Sequence, residues 1–304
     1  MRRLRRIGLP SGPEIKEKAF AKVNLTLEIR GKRRDGYHNL ISIMQTVDLF
    51  DEVNIYRADD LRVHCDDLNI PAESNLAIRA ARLLREQAGV NDGAYIEINK
   101  NIPVSAGLGG GSSDAAAVLR GLNKLWDLRL SLSELTGLAA EVGSDEPFLV
   151  RGGTSLIQGR GETVTPLPSA KINQLLILSP LFKNSTAIQK TKTVFSGVTP
   201  SLFTRGDLTH KLAARIRGGG DVPAEFFFNQ FGSIAETIFP GWETHRNQML
   251  SFGAREVILC GAGPAMFTVP PTKELGTTWH LLLTSVHKKR AYLVKPTPAV
   301  QESR

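Results

Sequence analysis

Apolar and polar residues alternate cleanly from Phe20 onward. In FAKVNLTLEIRG, Val23, Leu25, Leu27 and Ile29 fall on one side, and Lys22, Asn24, Thr26 and Glu28 on the other. A period of two marks a strand. Its polar side is either a solvated face or the lining of a cleft. Asp35-Gly36 in RGKRRDGYH is a turn signal, and LISIMQTVDLF, DEVNIY and LRVHC beyond it read as further strands. The period then lengthens. Over residues 74–88, Leu76, Ala80, Leu83 and Leu84 share one helical face, with Ser74 as N-cap and Gly89 as the stop. A strand over 94–99 leads through a glycine-rich loop into the helix AAAVLRGLNKLW. The helix SLSELTGLAAEV follows, capped near Ser131 or Ser133 and ending at Gly143. The proline-containing stretch TPLPSAKIN near 165–172 marks a domain boundary. Beyond it lie a strand in QLLILSP, helical patterns at 206–217 and 230–238, the strand–turn–strand EVILCGAGPAMFTV and a last strand near 280–286. The tail from Lys288 shows no anchoring pattern.

The loop PVSAGLGGGSSD, residues 103–114, sits between a strand and a helix start. Glycines there suggest a backbone that something approaches closely. Phosphate is the usual partner, because inward-pointing amides and the helix N-terminus both favour an anion. The alternative is a plain loop capped by Ser112 or Ser113. No lysine follows Gly111, so this is not a P-loop, and the spacing does not fit the dinucleotide fingerprint.

Composition narrows the class without naming a chemistry. With 304 residues, 41% hydrophobic and 22% charged, the chain suits one large or two ordinary globular domains. No apolar run approaches the ~20 residues of a membrane span. Cys65 and Cys260 are far apart and suit a reducing, cytoplasmic setting. The net charge is +8, and residues 1–18 hold six Lys or Arg against two Glu, half of that excess. This leader has no apolar segment and is not a secretory signal. It reads as a disordered extension, with an organelle transit peptide or nucleic-acid tail as the functional alternatives.

Four segments, AKVNL, DGYHNL, PVSAGLGGGSSDAA and GSDEPFLVRGG, occur in that order. In this the chain resembles the GHMP family of small-molecule kinases over roughly residues 19–290. The pairing of AKVNL with DGYHNL points to the branch whose acceptor is a cytidine-diphosphate sugar alcohol. The resemblance implies an α+β fold of two domains: an N-terminal domain like domain 2 of ribosomal protein S5, over 19–168, and a ferredoxin-like C-terminal domain, over 169–290. Residues 1–18 are then a leader and 291–304 a tail. It also implies ATP as phosphoryl donor, with Mg2+ accompanying it but no carboxylate ligand for the metal legible. ATP falls to Pro103, Val104, Ser105, Ala106, Gly107, Leu108, Gly109, Gly110, Gly111, Ser112 and Ser113, with Asn75 and Leu76 near the adenine. Asp145 is implied as the base and Lys22 as its partner. Taken alone, Asp145 would be the N-cap of a short turn before Pro147. The implied acceptor residues are Asn24, Tyr37 stacking on the cytosine, His38 bonding its edge, and Gly261 and Gly263 in the turn GAGPA. A second stacking aromatic falls on Phe195, counted from Thr191; the register from Thr186 would put Lys190 there. One position departs from the family's pattern. The residue after the aspartate is usually apolar and here is Glu146, expected to point away from the cleft. The expected protein is a monomer or homodimer with no membrane or nucleic-acid partner. Its rivals are a GHMP kinase for another alcohol, of homoserine or mevalonate type, and a nucleotide- or nucleic-acid-binding protein that has lost its chemistry.

Overall fold

The computed structural model describes residues 12–65, 75–182 and 193–301. Two long antiparallel strands, β1 (Ile15–Lys32) and β2 (His38–Ala58), form its spine. β3 (Leu61–Cys65) pairs in parallel with β4 (Gly93–Asn99), which joins β2. β5 (Thr154–Gly159) also pairs with β2, further along, and carries β6 (Thr163–Leu167). LISIMQTVDLF and DEVNIY are thus one strand. β2 runs on through Asp51 with a bulge at 47–49, between the residues that pair with Lys22 and with Phe20 of β1.

Helices α1 (Leu76–Ala88), α2 (Gly110–Leu125), α3 (Leu132–Val142) and α4 (Glu146–Arg151) cover this sheet. Their ends follow local chemistry. Asn75 caps α1 by accepting the Ala77 N–H at 2.9 Å, and Gly89 closes it in the left-handed conformation. Ser74 lies outside the described residues. Ser131 and Glu134 form a reciprocal capping box on α3. In α2, Ala115, Ala116 and Ala117 are fully buried, because small side chains let the helix sit close on the sheet. Arg120, on the same helix, bonds Glu17 and the Lys18 and Leu149 carbonyls.

After residue 168 the chain builds a second sheet. β7 (Leu175–Leu178), β9 (Ile258–Leu259), β10 (Met266–Thr268) and β11 (Ala291–Val294) pair antiparallel in the spatial order β11-β7-β10-β9. Between β7 and β9 come α5 (Asp207–Arg217), α6 (Ala235–Ile238) and α7 (Trp242–Ser251). α8 (Lys273–Leu281) joins β10 to β11. This is the ferredoxin-like order 4-1-3-2. The two sheets are tied together, since β8 (Phe228–Asn229) adds in parallel to β1 through Thr26 and Leu27.

Three expectations are corrected. Residues 15–18, placed in the leader, lie in β1 and are held by Arg120 and Lys124. The expected strand at 280–286 is the end of α8 and a π-turn through Val286. Trp279 and Leu283 are buried four residues apart while Leu281 and Val286 are exposed; a short apolar run does not reveal its own period. The tail is anchored. β11 is an edge of the second sheet, and Pro296 and Ala299 bridge to Val47 and Gly152.

Candidate active site

Two segments, the glycine loop and the GAGPA turn, converge on the middle of β1. The Lys22 N–H donates to the Leu108 carbonyl of the glycine loop at 2.9 Å, and the Asn24 N–H to the Cys260 carbonyl at 2.9 Å. The loop and the GAGPA turn also bond each other, Ala265 N–H to Ala106 C=O at 3.0 Å. β1 is irregular here, with register shifts between Phe20 and Lys22 and between Asn24 and Thr26. Such bulges re-aim side chains. The polar side of the strand is not solvated: Lys22, Asn24, Thr26 and Glu28 are all buried.

The glycines divide by what they touch. Gly107 has φ +88°, and a Cβ there would lie 2.5 Å from the Gly263 nitrogen. A Cβ on Gly263 would meet the Ala106 oxygen at 2.5 Å, and one on Gly261 the Gly107 oxygen at 2.6 Å. These three are glycine because two backbones press together. Gly111 differs. It is exposed in the first turn of α2, and a Cβ would find only Leu76 Cδ1, at 3.7 Å. The protein itself leaves that face open. Leu76 and the Asn75 cap place the start of α1 beside it. The N-cap of α2 is Gly109, at φ +73°; Ser113 donates to the Phe20 carbonyl at 2.7 Å instead of capping.

A buried cluster fixes both ends of the loop. Lys100 bonds Asp51 and also Asp114, the latter at 2.6 Å. Asp51 Oδ1 accepts the N–H groups of Asn101 and Ile102. Burial works against the Lys100 charge, yet the Asp114 and Asp51 carboxylates outweigh it and raise its pKa. Burial, chiefly, raises that of Asp114.

Asp145 occupies the N-cap position of α4, but its side chain makes no capping bond. Its Oδ2 lies 3.4 Å from Lys22 Nζ, with the carboxylate partly exposed and the lysine buried. Lys22 Nζ also donates to Asn24 Oδ1 at 2.8 Å. A buried ammonium requires such partners. Glu146 corrects the expectation that it points away from the cleft. It is 2% exposed, its carboxyl packs on Gly143, and it bonds the side chain of loop residue Ser112. Burial, then the Asp145 charge, pushes its pKa up to about 7.

Further along the β1–β2 ladder, where it pairs with Lys32, His38 is buried and stacks on Phe195 at 5.5 Å and 29°. Phe203 meets it edge-on at 6.3 Å, and Phe231 packs against Phe195 at 4.9 Å. Burial, then the Lys32 charge, holds the imidazole below its ordinary pKa. Tyr37 is 53% exposed, with the Arg160 guanidinium 5.4 Å from its ring centre. Thr186, Lys190 and Thr191 lie outside the described residues. Sequence reasoning missed Arg160, Phe203 and the Lys100 cluster. Arg160 stands between two glycines in GRG, a weak cue; the others carry no local signal.

A buried lysine–carboxylate pair beside a glycine-rich loop at a helix start, with an aromatic cluster further along β1, on this two-sheet fold, fits a small-molecule kinase. The N-terminal domain model of GHMP kinases matches residues 75–153. A 4-diphosphocytidyl-2-C-methyl-D-erythritol kinase from Dehalococcoides mccartyi is 39% identical over 277 residues, 91% of this chain and 96% of that protein. A crystal structure of 4-(cytidine 5'-diphospho)-2C-methyl-D-erythritol kinase superposes with TM-score 0.77 at 30% identity, covering 93% and 99% of the two chains. Homoserine kinase from Cytophaga hutchinsonii shares the fold, with TM-score 0.74 at 19% identity over 98% of each chain. The chain belongs to the 4-diphosphocytidyl-2-C-methyl-D-erythritol kinase family of GHMP kinases.

Proposed function

We propose that this protein transfers the γ-phosphoryl group of ATP to the carbon-2 hydroxyl of 4-diphosphocytidyl-2-C-methyl-D-erythritol, a cytoplasmic step of the non-mevalonate route to isopentenyl diphosphate. The observation that carries the reading is the Lys22–Asp145 pair, 3.4 Å apart between the two half-sites. Phosphoryl transfer proceeds through a loose transition state, so catalysis is mostly positioning and charge stabilisation. The open face at Gly110–Ser112 and the start of α2 receive the triphosphate, and Asn75 and Leu76 border the adenine. Mg2+ accompanying the triphosphate would supply charge neutralisation. Among the described residues no group of three or more His, Cys, Asp or Glu forms a resident metal site.

Asp145 accepts the proton of the attacking hydroxyl, worth ~10²–10⁴ in rate for a positioned base. Lys22, 3.4 Å from that carboxylate, orients it and faces the charge developing on the transferred group. Neutral His38 has one donor and one acceptor nitrogen, which suits the edge of a cytosine held between Tyr37 and Phe195. Arg160, beside Tyr37, supplies positive charge for the diphosphate. Among the described residues no helix is long and apolar enough to cross a membrane. A coupled ADP-release assay with the cytidylyl acceptor, homoserine and mevalonate in parallel tests the reading. Turnover is expected with the first alone. Turnover of another alcohol instead would overturn the acceptor, and ATP binding without any turnover would overturn the chemistry.

A further inference from the structure

The buried polar side of β1 forms one connected chain of hydrogen bonds, running from the catalytic pair to a helix of the second half. Lys22 Nζ donates to Asn24 Oδ1 at 2.8 Å, and Asn24 Nδ2 donates to Ser42 Oγ at 2.7 Å. Ser42 Oγ donates to the Thr26 carbonyl at 2.5 Å. The Thr26 hydroxyl accepts from Thr209 Oγ1 of α5 and from the Ile43 N–H, both at 2.9 Å. The Thr209 N–H ends on Glu28 at 2.8 Å. Asn24, Thr26, Ser42 and Thr209 are each fully buried.

The direction of these bonds is forced. A backbone carbonyl only accepts, so the Ser42 hydroxyl gives its single hydrogen to Thr26 and turns its lone pairs to Asn24. The Asn24 group facing Ser42 must then be the NH2. Its oxygen is left facing Lys22, whose ammonium only donates. If the amide were flipped, an NH2 would meet an NH3+. We infer that Ser42 is a positioning residue for the phosphoryl-transfer reaction, acting through the Asn24 amide to aim the Lys22 ammonium at Asp145. This inference rests on the role given to Lys22 above. Ser42 itself is on β2, paired through its backbone with Leu27 and Ile157, and its hydroxyl has no part in those ladders.

The test is steady-state kinetics of the full chain with ATP and the cytidylyl acceptor. Ser42→Ala is expected to lower kcat about ten-fold, the worth of one transition-state hydrogen bond. KM for both substrates should stay within about two-fold, because Ser42 is fully buried and Asn24, equally buried with its amide engaged by Lys22 and Ser42, does not face the acceptor as the sequence implied. Ser42→Thr, which restores the hydroxyl, should recover most of the loss. In a Lys22→Met background, Ser42→Ala should lower the residual kcat no further, since its effect passes through the missing ammonium. If Ser42→Ala does not fold, Ser42→Cys keeps the volume with a weak acceptor and is read the same way. Wild-type kcat in Ser42→Ala while Lys22→Met is inactive, or an equal loss in both backgrounds, would overturn the positioning role alone. Wild-type turnover in Lys22→Met would instead remove the reading beneath it.

Discussion

Two glycine-to-alanine changes separate the glycines the fold needs from the glycine the ligand needs. At Gly111 the added methyl has only Leu76 Cδ1 in reach, at 3.7 Å, an ordinary van der Waals distance. The backbone there is helical and exposed. Gly111→Ala should therefore fold, and be up to about 1 kcal/mol more stable because alanine is the better helix former. In the proposed ATP site the same methyl would stand where an amide approaches a phosphate oxygen to about 2.9 Å. Losing one hydrogen bond to a charged group costs about 1.5–3 kcal/mol, so KM for ATP should rise roughly 10- to 100-fold. At Gly263 the methyl would enter the Ala106–Gly107 backbone, 2.5 Å from the Ala106 oxygen. One turn must retreat by about an ångström, and misplacement of that size costs ~10² in rate. Gly263→Ala should lose both melting temperature and kcat. Thermal melts, ATP titration and initial rates on the two variants distinguish these outcomes. A stable Gly111→Ala enzyme with wild-type KM for ATP would refute the assignment of the cradle to that face. A Gly263→Ala enzyme of wild-type stability would refute the contact between the turns.

Asp145→Asn should reduce kcat by ~10²–10⁴ while ATP affinity, read by calorimetry, stays within a few-fold; a folded variant that no longer binds ATP would move Asp145 to the phosphate site. The Glu146 carboxyl, raised from 4.5 to about 7, is held in its neutral form by the fold. Its contribution is complete below about pH 4.5 and is lost as pH rises through about 7, with a full span of about 3 kcal/mol. Wild type should thus lose more stability than Glu146→Gln between pH 5 and 8 in urea unfolding, and parallel curves would refute the burial. Phe195→Ala removes a ring from His38 and Phe231. At ~1–3 kcal/mol for a stacked base, KM for the cytidylyl acceptor should rise roughly ten-fold or more with KM for ATP unchanged; an equal rise in both would show general loosening instead.

Much of the architecture is local and was legible for that reason. The alternation of FAKVNLTLEIRG, the 3.6-residue period of α1, the Ser131 box and the glycine-to-helix junction are decided by neighbours in the chain. The same holds for Lys22 and Asn24 sharing a strand side. Misreadings arose where a partner distant in sequence decides. The run at 280–286 is helical because of what Trp279 and Leu283 pack on, and the tail is ordered because β7 offers an edge. Alternation along a strand cannot say whether its polar side meets water or a second domain; here α5 and the GAGPA turn cover it.

From the sequence alone come the kind of chemistry, an anion cradle at a helix start, and the residue types available to it. The tertiary structure decided which of those residues act together. It set Lys22 beside Asp145 across more than 120 positions of chain, turned Asp145 away from its capping role, and buried Glu146 against the loop serine. It also showed that Gly107, Gly261 and Gly263 answer to each other's backbones and leave Gly111 facing outward. Chain-local preferences act over a few residues. Burial, charge pairing and backbone approach depend on distances that exist only once the two sheets have packed.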